Sequence, residues 1–462
     1  MVSFNILYFI VLILFFVSVL SIGFFSGRKS RNDAEGYLLS SRNVGLILFI
    51  LTNVATWYGG ILGVGEFVYR YGIVSWVTQG FPYYVFAFLF AVFLAGKIRN
   101  ASLFTIPDKL SSVYGRQVGL VSAVLVFVLV SPAPYLLMTG NLLSLVFNVD
   151  ILIGLILGFM LSAAYLIKGG YRSDLYTDVL QFFIMFIGFI IIVVFCFSSL
   201  GNFEFIKNNL PSAHLNPTGG VSVEFLIVWF LIALWTFADP GFHQRCYAAK
   251  NGNVAVKGII ISIVFMFLFD ALTTLTGLYA RAYLPNLSNP TLSYPLLAEA
   301  ILPSGIKGIF YAALFATIMS TLNSFLFLSA ATISRDFFFR FSSKQDLSKL
   351  KNFTIYGLII SGILSILLAY LMPSVIEIWY TIGSICIPGI IIPVISSYYP
   401  KFKISEKLLL FEMIASVSAG FSWFIFRQLL EINNYIKSIE PMIVGLTLSI
   451  IIHAFGILNN RI

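Results

Sequence analysis

Five side chains that carry an oxygen atom lie within eight residues of one long apolar segment: Thr317, Ser320, Thr321, Asn323 and Ser324. Ser320, Asn323 and Ser324 are spaced i, i+3 and i+4, so they share one helix face, which the two threonines flank. Uncharged oxygen donors suit a partly dehydrated monovalent cation, because hard cations prefer oxygen ligands. The alternative is that these side chains hydrogen-bond within their own helix and help it to pack.

A second polar set, Asp174, Asp178 and Gln181, lies at the start of another apolar segment, GGYRSDLYTDVLQFFIMFIG. With Met185 and Gly188 these residues follow one helix face in alternating steps of four and three, and this face should point into the protein. A carboxylate inside a membrane-spanning helix predicts a functional site. The alternative is an ion pair with a basic residue near the inner surface, which suits Asp174 better because Asp178 lies about one turn deeper.

Two further segments combine aromatic residues with residues that interrupt a helix. One is NVATWYGGILGVG, with the pair Gly59 and Gly60, and the other is LWTFADPGFHQR, with Asp239 and Pro240. Unwound backbone is tolerated inside a membrane only where it lines a site, and paired interruptions point to a transporter built from inverted repeats. We therefore expect non-helical backbone between positions 236 and 241. Close packing through the glycines is the alternative.

The composition indicates which elements hold these residues. Of 462 residues, 59% are hydrophobic and only 10% are charged, and the mean hydropathy is +0.96. Soluble domains are about one quarter charged, so the sequence predicts an all-α protein that crosses a membrane many times. The basic residues behind the net charge of +9 lie between apolar runs, which favours a role in membrane orientation over nucleic-acid binding.

The apolar runs predict about thirteen membrane-spanning helices, at residues 4–25, 43–69, 73–95, 118–147, 149–167, 173–199, 222–248, 254–284, 304–338, 351–372, 374–399, 405–431 and 437–458. With the N-terminus outside and the C-terminus inside, the outer loops hold only six of the 28 Lys and Arg residues, namely Arg70, Lys207, Arg281, Lys307, Arg427 and Lys437. Because basic residues are enriched in cytoplasmic loops, this distribution supports that orientation.

The sequence gives little sign of catalytic or metal chemistry. Cys196, Cys246 and Cys386 are far apart, and the three histidines are equally scattered. This spacing predicts neither a disulfide framework nor a metal site, apart from a site for Na⁺. Because no nucleophile, base or metal-ligand set converges, we expect neither an enzyme nor an organic cofactor.

Three of these motifs resemble, in order and spacing, signatures of the sodium:solute symporter family: GGYRSDLYTDVLQFFIMFIG, ADPGFHQRCYAAKN and MSTLNSFLFLSAATISRD. GLYARAYLP fits as well, and the likeness covers essentially the whole chain. The resemblance implies a single transmembrane domain, residues 1–462, with a LeuT-type five-plus-five inverted repeat. The repeats would be 43–199 and 222–399, with one extra helix at 4–25 and two at 405–458.

The resemblance also implies a shared sodium site between the interrupted second span and the ninth span. Carried over to this chain, the ligands are the backbone carbonyls of Asn53, Thr56 and Thr317 and the hydroxyls of Ser320 and Thr321.

Some family members add a second sodium ion, and the resemblance assigns it to Asp178, Asn323 and Ser324. Gln181 would then orient the Asp178 carboxylate as a hydrogen-bond donor. The alternative is a salt bridge between Asp178 and an arginine from the inner surface.

The resemblance implies that the solute binds between the two interruptions. Aromatic walls with a few polar groups suit many small solutes. The residues expected there are Trp57, Tyr58, Gly60, Gln79, Tyr135, Trp235, Phe237 and Trp379. Asp270 has two interpretations: it contacts an ammonium group of the solute, or it pairs within the protein.

These expectations describe a secondary transporter of the cell (plasma) membrane that imports a small organic solute with Na⁺ by alternating access. Its partners would be Na⁺, the solute and the lipid bilayer, with no nucleic acid. A proton-coupled porter and a transporter-fold sensor stay open as alternatives. The solute stays open among sugars, amino acids, vitamins and organic acids.

Overall fold

The computed structural model describes residues 6–29, 33–338, 349–372, 374–429 and 439–459. This part of the chain is almost entirely helical and contains no β-strand, as the all-α prediction requires. Five of the basic residues used to orient the chain lie outside these ranges: Arg31, Arg340, Lys344, Lys437 and Arg461.

The helices up to the end of the predicted first repeat are numbered in chain order. They are α1 (Ile6–Gly27), α2 (Ala34–Leu39), α3 (Leu46–Trp57), α4 (Ile61–Tyr71), α5 (Phe81–Phe90), α6 (Gly96–Asn100), α7 (Ile106–Tyr114), α8 (Arg116–Leu129), α9 (Ala133–Phe147), α10 (Ile151–Gly169), α11 (Tyr171–Leu200) and, just after the repeat, α12 (Phe203–Asn209). Two π-helical stretches, Trp76–Gly80 and Ala91–Ala95, join α5 into one longer span with α6.

The remaining helices of the described residues continue this numbering. They are α13 (Val223–Ile232), α14 (Pro240–Ala248), α15 (Gly252–Tyr283), α16 (Ser293–Ile301), α17 (Ser304–Ala331), α18 (Leu350–Leu371), α19 (Val375–Cys386), α20 (Ile391–Ser397), α21 (Glu406–Leu429) and α22 (Pro441–Asn459). A π-helical stretch, Thr332–Phe338, prolongs α17.

Among the described residues, eleven helices are long and apolar enough to cross a membrane, and the number is thirteen if each of two bent pairs is counted as one span. Eleven are continuous or nearly continuous apolar segments, and the other two are bent pairs: α3 with α4, bent by 56°, and α19 with α20, bent by 43°. The number and positions agree with the prediction from the apolar runs. The orientation of the chain in the membrane and the exact repeat boundaries stay predictions.

Both predicted interruptions exist. α3 ends at Trp57, a turn follows, and α4 begins at Ile61. In the seventh span, α13 passes into a 3-10 helix, Ala233–Ala238, before the chain becomes extended at Asp239. Pro240 then starts α14, which is expected because proline lacks an amide hydrogen and fits the first turn of a helix.

Two other interruptions were not predicted. The fourth span consists of α8 and α9, which meet at Ser131 and Pro132. The eleventh span changes direction around Ile387–Gly389, between α19 and α20. In both segments a proline lies within a long apolar run, and hydropathy alone does not reveal the freed backbone groups.

α17 forms the centre of the bundle and is buried along almost its whole length. It packs along α11 and also contacts α1 and α3. Near the start of α3, Val44 donates to the carbonyl of Ala248 at 3.1 Å and accepts from the amide of Lys250 at 2.9 Å. This single bridge ties the beginning of the second span to the end of the seventh.

Candidate functional site

The interruption in the second span lies against the middle of α17. Thr321 donates a hydrogen bond from Oγ1 to the carbonyl of Thr56, at 2.7 Å. A Cβ on Gly59 would lie 2.2 Å from both Cβ and Oγ1 of Thr321, closer than any real contact. Gly59 therefore has no side chain because the unwound backbone approaches α17 here.

Three helices bring predicted sodium ligands to this junction. Ser320 Oγ donates to Asp178 Oδ1 at 2.6 Å and lies 3.2 Å from Thr56 Oγ1. Thr56 Oγ1 lies 3.3 Å from Asp178 Oδ2. These side chains are buried. The structure thus gathers Thr56, Ser320 and Thr321 in one cluster, with the Asp178 carboxylate beside them.

Asn53 and Thr317 complete the predicted set through their main-chain carbonyls. The hydroxyl of Thr317 donates within its own helix to the carbonyl of Ala313, at 2.7 Å. Within the described residues, Nδ2 of Asn53 has no hydrogen-bond partner. The resulting oxygen donors suit Na⁺, and the assignment of each ligand stays a prediction. The described residues hold no group of three His, Cys, Asp or Glu that could bind another metal ion.

A guanidinium that the sequence analysis did not assign lies in the same cluster. The side chain of Arg245, only 2% exposed, approaches Asp178 Oδ2 to 3.6 Å through Nη2. The same Nη2 lies 3.3 Å from Ser324 Oγ and donates to Thr56 Oγ1. Nη1 donates to the carbonyl of Gly241 at 3.3 Å. The alternative interpretation of Asp178, an ion pair with an arginine, is therefore the arrangement that the structure contains.

The residues predicted for a second sodium ion do not form a cluster around Asp178. Ser324 Oγ donates to Asp174 Oδ2 at 2.6 Å, and Nδ2 of Asn323 donates to the hydroxyl of Tyr165. Because α11 and α17 run antiparallel, the turn of α17 that carries Ser324 faces the turn of α11 that carries Asp174. A second sodium ion at Asp178, Asn323 and Ser324 stays a prediction.

The expected hydrogen bond from Gln181 to Asp178 is not formed. Gln181 is fully buried, and neither its amide nitrogen nor its oxygen has a hydrogen-bond partner in the described part of the chain. The two side chains share a helix face, but the carboxylate is oriented by Thr56 and Ser320, which come from other helices. The prediction that Gln181 orients the Asp178 carboxylate is therefore wrong for this structure.

Aromatic residues near the two interruptions keep partial exposure, although they lie in the middle of the bundle. The ring of Trp57 packs edge-on against Tyr83 and Phe242, with centroid distances of 5.7 and 4.9 Å. The ring of Tyr135 on α9 lies 6.0 Å from that of Trp379 on α19. Partly exposed aromatic rings from several spans therefore lie near the two interruptions.

Gly60 joins these two aromatic pairs. A Cβ on Gly60 would lie 2.3 Å from the ring of Trp379, so this ring rests on the backbone of the first interruption. Four predicted solute residues thus come together: Trp57, Gly60, Tyr135 and Trp379.

Tyr58 and Asp270 form a separate cluster with Tyr84. The hydroxyl of Tyr84 donates to Asp270 Oδ2, and Tyr58 interacts with the same carboxylate. Tyr58 is buried against Phe269, with ring centroids 4.5 Å apart. Asp270 is thus paired within the protein in this structure, and its contact with an ammonium group of the solute stays a prediction.

The last three predicted solute residues have different surroundings. Phe237 turns toward α5, where its ring lies 5.9 Å from that of Phe86. Gln79 lies in a π-helical stretch, and its Nε2 has no hydrogen-bond partner among the described residues. Trp235 is partly exposed and interacts with the carboxylate of Asp239.

Arg245, Asp239 and Tyr83 belong to this site but were not assigned to it from the sequence. The sequence alone places Arg245 among the basic residues between apolar runs and Asp239 in the second interruption. The position of Arg245 along the chain could have identified it, because it precedes the exposed Lys250 by more than one helical turn and so lies deeper in the bundle.

Comparison with known proteins gives the family. A model of the sodium:solute symporter family matches residues 37–402. The sodium/pantothenate symporter of Escherichia coli is 27% identical over 388 residues, which cover 80% of this chain and 80% of that protein. The high-affinity choline transporter 1 of Drosophila melanogaster is 25% identical over 400 residues, which cover 80% of this chain. The match spans only 63% of the length of the fly protein.

The fold has a close counterpart among solved structures. A substrate-bound, outward-open Na⁺-coupled sialic acid symporter superposes with a TM-score of 0.84, covering 99% of this chain and 98% of that chain at 16% identity. At this identity the likeness shows the fold alone. The members of this family are transporters, not enzymes. Since the family model covers most of the sequence, this multi-pass membrane protein belongs to the sodium:solute symporter family.

Proposed function

We propose that this protein imports a small organic solute together with Na⁺ by alternating access. The observation that carries the proposal is the junction where Thr321 and Ser320 of α17 meet Thr56 at the first interruption. An ion bound there would hold the interrupted span and α17 together. Its occupancy would thereby be linked to the solute region on the other side of the same interruption.

The hydroxyl groups at the junction can keep their hydrogen bonds and still offer an oxygen atom to the ion. Thr321 donates a hydrogen bond to the carbonyl of Thr56, and Ser320 donates a hydrogen bond to Asp178. Both hydroxyls keep oxygen lone pairs that can face Na⁺. Asp178 adds a negative charge next to the ion, which favours a cation over a neutral ligand.

The two relatives do not determine the solute. Pantothenate is an anion and choline is a cation, so family membership leaves even the sign of the solute's charge open. A second sodium ion at Asp178, Asn323 and Ser324 is a further proposal. It competes with Arg245, whose guanidinium lies between Asp178 and Ser324.

Sodium binding can be measured before the solute is known. The melting temperature of the purified full-length protein should rise with NaCl but not with KCl, because a ligand that binds the folded state stabilises it. In Ser320→Ala and Thr321→Ala the half-saturating Na⁺ concentration should increase about tenfold, since one of about five ligands is lost. Ser198→Ala is the matched control, because Ser198 is exposed on α11 and bonds only within its helix.

The proposal is rejected if Na⁺ and K⁺ stabilise the wild-type protein equally. It is also rejected if both alanine variants keep the wild-type response to sodium. A proton-coupled porter would show the first of these results, together with accumulation driven by a pH gradient alone.

A further inference from the structure

We propose that His453 and Glu412 hold one proton between them, and that this proton fastens the segment after α20 in a pH-dependent way. This segment, residues 398–403, is here called the end segment. Glu412 on α21 and His453 on α22 are both buried, and they lie outside the sodium and solute regions described above. The inference goes beyond sodium-coupled import, and its link to the opening of the bundle rests on the proposed alternating access.

The imidazole ring of His453 lies between two hydrogen-bond acceptors. Its Nδ1 is 2.7 Å from Oε2 of Glu412, and its Nε2 is 2.9 Å from the main-chain carbonyl oxygen of Phe402. The other carboxylate oxygen of Glu412 accepts a hydrogen bond from Ser449 Oγ at 2.8 Å. A neutral imidazole has only one N–H group, so it can donate to only one of its two neighbours.

Both contacts of the ring are hydrogen bonds only when the pair carries one added proton. In one form, His453 is an imidazolium that donates to Glu412 and to Phe402. In the other form, a protonated Glu412 donates to Nδ1, and the neutral ring donates from Nε2 to Phe402. Without the added proton, a ring nitrogen and an acceptor oxygen meet with no hydrogen between them, which is costly where water is excluded.

The other two histidines of the chain have a different arrangement. Nε2 of His214 lies 3.1 Å from the carbonyl oxygen of Tyr69, and Nε2 of His243 lies 3.0 Å from that of Phe237. Nδ1 of each ring has no hydrogen-bond partner within the described residues. A neutral ring can donate to a single carbonyl, so the need for an added proton is specific to His453.

The charged groups of the elements around the pair lie at the surface or at the other end of the two helices. α22 carries no charged side chain apart from His453. On the elements packed nearby, the charged residues at this end are all exposed: Lys401, Lys403, Glu406, Lys407 and Arg116. At the opposite end lie Glu377, Tyr380 and Arg427, which pairs with Glu440 at 3.5 Å. The phenols of Tyr114, Tyr398 and Tyr399 and the thiol of Cys386 also lie on these elements.

The end segment connects the pair to other spans. The hydroxyls of Tyr398 and Tyr247 lie 3.0 Å apart, which joins the segment to the end of α14. The hydroxyl of Tyr399 donates to the carbonyl of Phe93 at 2.8 Å, which joins the segment to the third span. Phe402, the residue that His453 holds, follows three positions later. The shared proton therefore fastens the same segment that would have to leave Tyr247 and Phe93 when this end of the bundle opens.

The direction of the pH effect follows from the hydrogen bonds. The two contacts of the ring hold while the proton is bound, and one of them becomes repulsive when rising pH removes the proton. Histidine is the side chain whose charge ordinarily changes near neutral pH. We therefore expect the end segment to be fastened at about pH 6 and looser at about pH 9.

Nitrogen NMR of the full-length protein in lipid, with ¹⁵N-labelled histidine, detects the proton directly. The chain has only three histidines, so His453→Gln assigns the signals of this ring. At about pH 6 we expect an imidazolium or a neutral ring protonated at Nε2, which are the two forms that carry the shared proton. A neutral ring protonated only at Nδ1 would overturn the inference. Signals of His453 that are the same at about pH 6 and about pH 9 would overturn the pH dependence.

Movement of the end segment can be measured by the labelling of Ser397→Cys in the purified protein. Ser397 is buried just before the segment and bonds only within its own helix, to the carbonyl of Val394 at 2.7 Å. Lys401→Cys is the exposed reference, and the ratio of the two labelling rates cancels the effect of pH on the thiol reaction. The native cysteines are buried. The ratio should rise about tenfold from about pH 6 to about pH 9, because a hydrogen bond with a charged partner is lost.

Two further variants, made in the Ser397→Cys protein, have opposite expected effects. In Glu412→Gln the amide can donate to Nδ1 and accept from Ser449, so a neutral His453 keeps its bond to Phe402 without an added proton. Its labelling ratio should stay low at both pH values. His453→Gln lacks the ring that connects the two acceptors, so its ratio should be high at both. His214→Gln is the matched control and should keep the wild-type change with pH.

The outcomes are distinct. The inference is overturned if Glu412→Gln shows the same change with pH as the wild type, or if His453→Gln at about pH 6 is labelled as slowly as the wild type. Failure of the proposed function is read separately, from the response of the melting temperature to Na⁺ and K⁺. A protein that responds to Na⁺ but whose labelling ratio ignores pH loses only the present inference. A ratio that changes with pH in a protein that Na⁺ does not stabilise removes only the proposed function.

Discussion

The buried carboxylate of Asp178 receives hydrogen bonds from two helices and faces a guanidinium from a third. Ser320 donates to it at 2.6 Å, Thr56 Oγ1 lies 3.3 Å away, and Arg245 lies 3.6 Å away. If Arg245 is the partner of Asp178, removing the negative charge of Asp178 leaves the buried guanidinium of Arg245 with less compensating charge. If Asp178 instead awaits a second sodium ion, removing the charge in sodium-free buffer relieves its repulsion with Asp174.

Asp178→Asn therefore has opposite expected effects on stability in KCl under the two interpretations. We expect a loss of about 3 kcal/mol, the low end for breaking a buried ion pair, because Asp174 still compensates Arg245. The double variant Asp178→Asn with Arg245→Gln should recover part of this loss, since it removes both charges. The measurement is the melting temperature in KCl. A stabilised single variant with lower sodium-to-solute stoichiometry would instead support the second sodium site.

At this scale the sequence predicts the polar face but not its partners. Asp178 and Ser320 were each identified from helical spacing, and both lie in the cluster. Which residue of α17 faces which residue of α11 depends on the relative rotation and shift of two packed helices, and no local pattern contains this. For the same reason Arg245 and Tyr83 were missed, because their role comes from contacts with other spans.

The elements make the site by bringing interrupted backbone against a continuous helix. Gly59 is the position where this contact is tightest, so Gly59→Ala is the sharpest test of it. The added Cβ would lie 2.2 Å from Cβ of Thr321, a branched atom that cannot rotate away. Overpacking of this kind costs about 1–3 kcal/mol, and the interruption must move away from α17.

We therefore expect Gly59→Ala to bind Na⁺ at least about tenfold more weakly, since about 1.4 kcal/mol corresponds to a factor of ten. Sodium-dependent stabilisation against KCl is the measurement. Gly45→Ala is the control, because Gly45 caps the same helix and a Cβ there meets no atom within 4 Å. Equal sodium affinity in the two variants would contradict the close approach.

Interruptions were predictable only where residues that break a helix occur together. Gly59 and Gly60 follow one another, and Asp239, Pro240 and Gly241 follow one another, and both segments are interrupted. The bend after α19 contains Pro388 and Gly389. It was not predicted because the surrounding isoleucines give this segment the hydropathy of a continuous span. Burial of that bend against α21 and α22 is a tertiary effect.

At the scale of the whole molecule, side-chain contacts join distant spans at one end of the bundle. The hydroxyls of Tyr247 and Tyr398 lie 3.0 Å apart, and Arg335 pairs with Asp108 at 3.2 Å. The first contact joins the end of α14 to the segment after α20, and the second joins the start of α7 to the π-helical extension of α17. The proposed alternating access would require these contacts to break when this end opens. The distribution of basic residues predicts that this is the cytoplasmic end.

The orientation in the membrane decides which side of the membrane this end of the bundle faces. Single-cysteine labelling tests the orientation. With the N-terminus outside, Asn208 on α12 faces the exterior and Lys250, between α14 and α15, faces the cytoplasm. Both residues are exposed, so a cysteine at either position can react. The native cysteines Cys196, Cys246 and Cys386 are buried, which keeps background labelling low. In intact cells an impermeant maleimide should label Asn208→Cys and not Lys250→Cys, and after permeabilisation it should label both. Labelling of Lys250→Cys alone in intact cells would show that the orientation is the reverse of the predicted one. Labelling of both variants in intact cells would contradict the odd number of spans between the two positions.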